Sequence, residues 1–210
     1  DGTGRVDLRT NSDVVVYDEI YIGNNAGSVG TLYATGASTW VDGRGKLEVG
    51  VSGRGHMQLY VGAEIEVDDV FRVGTNATGS GNVVINGAGS ELDANSQSIV
   101  GDLGEGSVVI ENDGDMLVAN LGYIGKQAGS DGHVTVTGVG SRYFGEGNVL
   151  HDVGNLGIGR VTVADSGLFD VYDMTLGKVS GGRGYVAISG GEVNVDRYLI
   201  VGESGRGEVI

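Results

Sequence analysis

The chain has 210 residues, 42 of them glycine, with no proline and no cysteine, and a formal charge of −15. One glycine in five without proline or a G-X-Y period excludes a collagen-like chain, and 40% apolar content excludes simple disorder. The acidic balance argues against nucleic-acid binding, which needs a basic footprint, and the lack of cysteine excludes disulfides and thiolate metal sites.

The first predicted element is the strand GRVDL at 4–8. A strand led by glycine then recurs at Gly30, Gly55, Gly81, Gly106, Gly132, Gly159, Gly184 and Gly207, at spacings of 26, 25, 26, 25, 26, 27, 25 and 23. Two residues after each glycine stand Val6, Leu32, Met57, Val83, Val108, Val134, Val161, Val186 and Val209. Four residues after it stand Leu8, Ala34, Leu59, Ile85, Ile110, Val136, Val163 and Ile188, with mainly polar residues between. That period of two predicts short strands with one buried face, and nowhere does helical periodicity replace it.

Each repeat continues with a looser strand, as in STWVD (38–42), EIEVD (64–68), MLVAN (116–120) and EVNVD (192–196). It closes on a hydrophobic–Gly pair: Ile22-Gly23, Val49-Gly50, Val73-Gly74, Val100-Gly101, Ile124-Gly125, Val153-Gly154, Leu176-Gly177 and Val201-Gly202. Three strands in about 25 residues make one triangular coil of an all-β parallel β-helix, so eight to nine coils stack ~4.8 Å apart. The glycines turn corners where other residues would need strained φ. The glycine-dense GSGNVVINGAGSEL (79–92) is therefore architectural; a phosphate loop needs a helix after its glycines, and none can start there.

From each hydrophobic–Gly pair to the next strand glycine the distance alternates between seven and five residues. Long turns are 23–30, 74–81, 125–132 and 177–184; short ones are 50–55, 101–106, 154–159 and 202–207. The repeating unit is thus a pair of coils, about 51 residues. Residues 1–210 read as a single β-helix segment of a longer solenoid. With no signal peptide, transmembrane run or initiating Met, the chain is expected to be a processed or excised piece.

Repeats such as VGTNATGSGNVVINGAGSEL and IGKQAGSDGHVTVTGVGSRY resemble the passenger domains of Gram-negative autotransporters, the adhesin and pertactin-like group exported by type V secretion. The resemblance covers essentially the whole chain. It implies a right-handed parallel β-helix, secreted or held at the cell surface, whose full-length form is anchored by an outer-membrane barrel. It also implies an adhesin or secreted effector that engages a host cell-surface protein, with a structural spacer holding a functional tip off the membrane as the alternative.

Catalysis is not expected. Polysaccharide-active β-helices use clustered carboxylates on one strand face, whereas the carboxylates here are read as lying mostly in turns without stacking. Asp113 and Asp115 flank Gly114 like a calcium turn, but the equivalent positions of other coils lack the repeat such turns require. His56 and His133 share a register three coils apart, ~14 Å, too far to chelate one metal. No serine sits in a nucleophile-elbow setting. Neither metal nor cofactor is expected, and Trp40 is expected in the core.

Two surface features are candidates for partner contact. Arg183 and Arg206 occupy the position before the strand glycine on adjacent coils, with Arg160 one column over. Such a corner would receive an acidic partner or a sulfated glycan. The longest interval, Gly132 to Gly159, contains Arg142, Tyr143, His151 and Asp152, and is read as an irregular bulge offering a unique footprint to a host protein receptor.

Overall fold

The computed structural model describes residues 2–210. Its first face stacks nine strands: Thr3–Arg9, Val29–Thr35, Arg54–Tyr60, Ser80–Asn86, Glu105–Glu111, Asp131–Thr137, Ile158–Ala164, Arg183–Ser189 and Arg206–Val209. All pair in parallel, each with the strand one coil away, and the register sets every strand glycine opposite the next, from Gly4↔Gly30 to Gly184↔Gly207. The glycine alignment read from the sequence is therefore the hydrogen-bonded register itself. The described residues make eight coils and the first strand of a ninth: the molecule is a parallel β-solenoid.

The second face rises through Asp13–Val16, Thr39–Gly43, Ala63–Val67, Glu91–Ala94, Asp115–Val118 and Arg142–Gly145. The third comprises Ile20–Ile22, Leu47–Val49, Val70–Val73, Gln97–Val100, Gly122–Ile124 and Leu150–Val153. In the seventh and eighth coils these two faces merge into the single strands Leu168–Leu176 and Glu192–Val201. Among the described residues there is no helix.

Inward columns fill the interior. Val83, Ile85, Val108, Ile110, Val134 and Val136 are all fully buried, as the period of two predicts. Each such side chain contributes ~1.5–3 kcal/mol of apolar transfer. Trp40 departs from expectation. It alternates with Thr39 and Val41, both buried, and so faces outward, half-exposed, in register with Glu64.

Glycine holds the corner between the third and first faces for two different reasons. Gly125 has φ +73°, the left-handed region anticipated for the hydrophobic–Gly pairs. Gly132 is not left-handed; a Cβ there would overlap the Val100 carbonyl oxygen and stand 2.5 Å from the Gly125 nitrogen. From Gly30 onward the strand glycines are therefore required by close approach of the backbone at this corner.

Two of the coil pairs are also joined by side-chain hydrogen bonds at the opposite corner, between the first and second faces. Fourth and sixth coils turn there through GAGS (87–90) and GVGS (138–141). Ser90 Oγ donates to the Asn86 carbonyl at 2.8 Å and accepts from the Gly62 N–H of the coil before at 3.1 Å. In the same way Ser141 Oγ accepts from the Asp113 N–H at 3.1 Å. In the fourth and sixth coils this turn thus latches the one beneath it, whose residues Val61, Asn112 and Asp113 all have positive φ. Ser141→Ala leaves the Asp113 N–H without its acceptor and is expected to cost ~1–3 kcal/mol. An unchanged urea midpoint in this variant would show that the latch contributes nothing.

Candidate functional site

The strand Arg142–Gly145 follows the inward column Ile65, Leu92, Met116, Tyr143, Phe169. Tyr143 is therefore core. It stacks on Phe169 with ring centroids 4.5 Å apart and planes at 12°, and burial pushes its hydroxyl pKa up. His151 also points inward, in register with Gly122 and Met174, with its ring edge-on to Tyr143 at 5.4 Å. Gly122 and Gly145 make room for it, since a Cβ on the first would overlap the imidazole and on the second would lie 2.6 Å from Cε1.

Neither ring nitrogen of His151 makes a well-formed hydrogen bond among the described residues, and burial lowers its pKa to about 4, opposed only by the nearby Val149 backbone. The core thus holds the neutral imidazole, and its contribution to stability is lost as pH falls from 6.5 towards 4. Asp152, on the other side of the strand, is 1% exposed; one oxygen accepts from Lys178 Nζ at 2.8 Å and the other has no partner among the described residues. Burial raises its pKa, and Lys178 opposes the shift. Tyr143, His151 and Asp152 are therefore not surface contacts, which corrects the reading of this interval as an exposed footprint. The extra length falls after the strand, in exposed residues 146–148.

The arginines do lie at the surface. Arg142 reaches Asp115 Oδ2 at 3.4 Å and covers the Phe144 ring, 5.3 Å from its centroid. Arg183 aligns with Arg206 on the next coil as the spacing predicts. Arg160, in register with His133 and Tyr185, instead pairs with Asp131 of the preceding coil, and Arg206 pairs with Glu208 at 3.1 Å. Of the trio, only Arg183 lacks an ion pair among the described residues. A cluster that demanded an external anion is thus reduced to one unneutralised cation.

No protein-family model matches the chain, and no solved structure matches it. It is similar to the uncharacterized lipoprotein YdeK of Escherichia coli (strain K12), 28% identical over 176 residues, 80% of this chain. The chain spans 13% of that relative's length.

Sequence reading missed a stack of carboxylates on the outer side of the second face, and the expectation that carboxylates do not stack is corrected. Glu64, Glu91 and Asp115 occupy one column on successive coils, and Asp42, Glu66 and Asp93 the next. Counting outward positions from the inward residues Ile65, Leu92 and Met116 would have found them. Like charges on adjacent coils oppose ionisation. Asp93, half-buried with one oxygen that has no partner among the described residues, is pushed up to about 6 by burial and then by Glu91, Glu146, Glu66 and Glu64. Glu91 is raised by burial, Asp115 and Glu64; Asp115 is raised by burial against the pull of Arg142. The carboxylates stand in a ladder and do not converge: no group of three or more metal-ligating side chains is close enough to hold an ion among the described residues.

The sign of the resulting pH effect is fixed. Asp93 has a folded pKa above its ordinary 3.8, so the native state binds its proton more tightly and this group's stabilisation is lost as pH rises through about 6. Asp93→Asn is expected to raise stability at pH 7.5 by about 1–2 kcal/mol, after discounting for solvent screening, and to have little effect at pH 4. Comparing parent and variant cancels the opposite trend from His151. Equal melting temperatures at pH 7.5 would contradict the ladder's repulsion.

Proposed function

We propose that this chain is a non-catalytic stalk, a stiff stretch of an exported cell-envelope protein that sets the distance between its flanking parts. The observation behind the reading is the unbroken register of the strand glycines through all nine first-face strands. In such a rod each coil contacts only its neighbours, and length is added without a new fold. Burial of Tyr143, His151 and Asp152, and neutralisation of Arg160 and Arg206, remove most of the unique footprint a partner would need. Resemblance to autotransporter passengers supports surface display behind an outer-membrane barrel, and the lipoprotein relative supports an envelope location.

A second reading, an adhesin segment that binds a host surface protein or sulfated glycan, is favoured by exposed Arg183 stacked beside Arg206. Immobilised chain exposed to heparin and to solubilised mammalian surface proteins separates the two. The stalk reading expects no saturable binding. Saturable binding that is lost in Arg183→Ala/Arg206→Ala, with an unchanged melting curve, would replace it with the adhesin reading.

A further inference from the structure

The outer side of the first face is not uniform. The strand glycines of the fourth and fifth coils are flanked by Ser80 and Asn82 and by Glu105 and Ser107, with the short Asn82 and Ser107 in the column after the glycine. The sixth and seventh coils carry Asp131, His133 and Arg160 in the same two columns. In the column after the glycine the surface therefore steps down from a wall of His133 and Arg160 to a floor of Asn82 and Ser107, leaving an open depression of about 420 Å³, within the usual range of small-molecule sites.

Wall and floor differ in how their polar groups are used. Arg160 is tied to Asp131, and His133 Nε2 lies 3.1 Å from Thr162 Oγ1 and 3.3 Å from Thr135 Oγ1. The wall is fixed before any ligand arrives. On the floor, the side chains of Ser80, Asn82, Ser107 and the adjoining Glu105 make no hydrogen bond among the described residues. Two hydroxyls, one amide and one carboxylate thus present donors and acceptors together. They project from strands held by backbone ladders on both sides, so little ordering is needed on binding. The next outward residues along the same strands are the half-buried Val84 and Val109, which add an apolar step beside the polar floor.

We propose that this depression binds an uncharged saccharide ring, its hydroxyls bonded to Asn82, Ser107 and Glu105 and its C–H face laid on Val84 and Val109. Glu105 is the one charge of the depression without an ion-pair partner among the described residues, so a sulfated sugar is disfavoured here. The proposal does not rest on the stalk reading, since a rod can carry a lateral sugar site.

The experiment is an amide-resolved NMR titration of the isotope-labelled chain with methyl glucoside, methyl galactoside and N-acetylglucosamine. Ligand is taken to about 50 mM, above the millimolar Kd suited to so open a site. A heparin-derived sulfated disaccharide serves as the control. At least one neutral sugar is expected to give saturable shifts confined to residues 80–84, 105–109 and 131–133. Affinity should fall fivefold or more in Asn82→Ala and in Glu105→Gln while the melting curve stays unchanged. Absence of saturable shifts with all three neutral sugars overturns the proposal. So do shifts centred elsewhere, variants that bind like the parent, or tighter binding of the sulfated disaccharide at this depression.

Discussion

Val108→Asp is expected to abolish cooperative folding or to lower stability by several kcal/mol, more than any single turn substitution. Val108 is fully buried, with Val83 and Val134 directly opposite on the neighbouring coils. A carboxylate there is surrounded by apolar side chains, with no donor or cation to receive it. Because stability in a solenoid is shared between neighbours, the damage should spread to both adjacent interfaces. Thermal melting followed by circular dichroism checks it. A melting temperature close to that of the parent would place position 108 outside and put the whole first-face register wrong by one residue.

Gly132→Ala carries the second large effect, ~3 kcal/mol or more. Its new methyl would meet the Val100 carbonyl oxygen and the Gly125 nitrogen, backbone atoms that move only if two coils separate. Gly129→Ala is the contrast. A Cβ at Gly129 meets nothing within 4 Å, but its φ is +88°, so the expected loss is only about 1 kcal/mol of conformational strain. Equal losses in the two variants would mean that the strand glycines act through backbone conformation, and that the close packing of the corner is not what selects them.

How far the sequence could be read depended on which face carried a marker. On the first face the strand glycine fixes the register, so columns such as Val83, Val108 and Val134 could be assigned without structure. Hydrophobic–Gly pairs do the same for the third face. Counting back two residues from Val153 puts His151 inward and Asp152 outward, as Phe71 and Arg72 stand before Val73. That signal was present, but a histidine in an inward column runs against polarity, and only the space left by Gly122 and Gly145 makes it fit. The second face has no glycine marker, and its leading corner alternates in length. Its outward columns therefore have no fixed register in the sequence, and neither the Glu64–Glu91–Asp115 stack nor the outward position of Trp40 is legible there from spacing alone. Pairing of Arg160 with Asp131 lies beyond any reading of spacing, because it depends on a side chain reaching back across a coil.

The coil pair as the repeating unit is tested most directly by comparing two deletions in thermal unfolding. Removing Gly81–Asp131, 51 residues, joins Ser80 to Gly132, which hold the positions before and at a strand glycine on coils of the same type. Removing only Gly106–Asp131, 26 residues, sets two short turns in succession at one corner and two long turns at the other, and takes from Ser141 the Asp113 N–H that it accepts. The pair deletion is expected to keep one cooperative transition within a few degrees of the parent. The single-coil deletion is expected to melt about 5 °C or more lower, or to lose cooperativity. Equal melting temperatures for the two deletions, or a pair deletion that fails to fold, would contradict the coil pair as the structural unit.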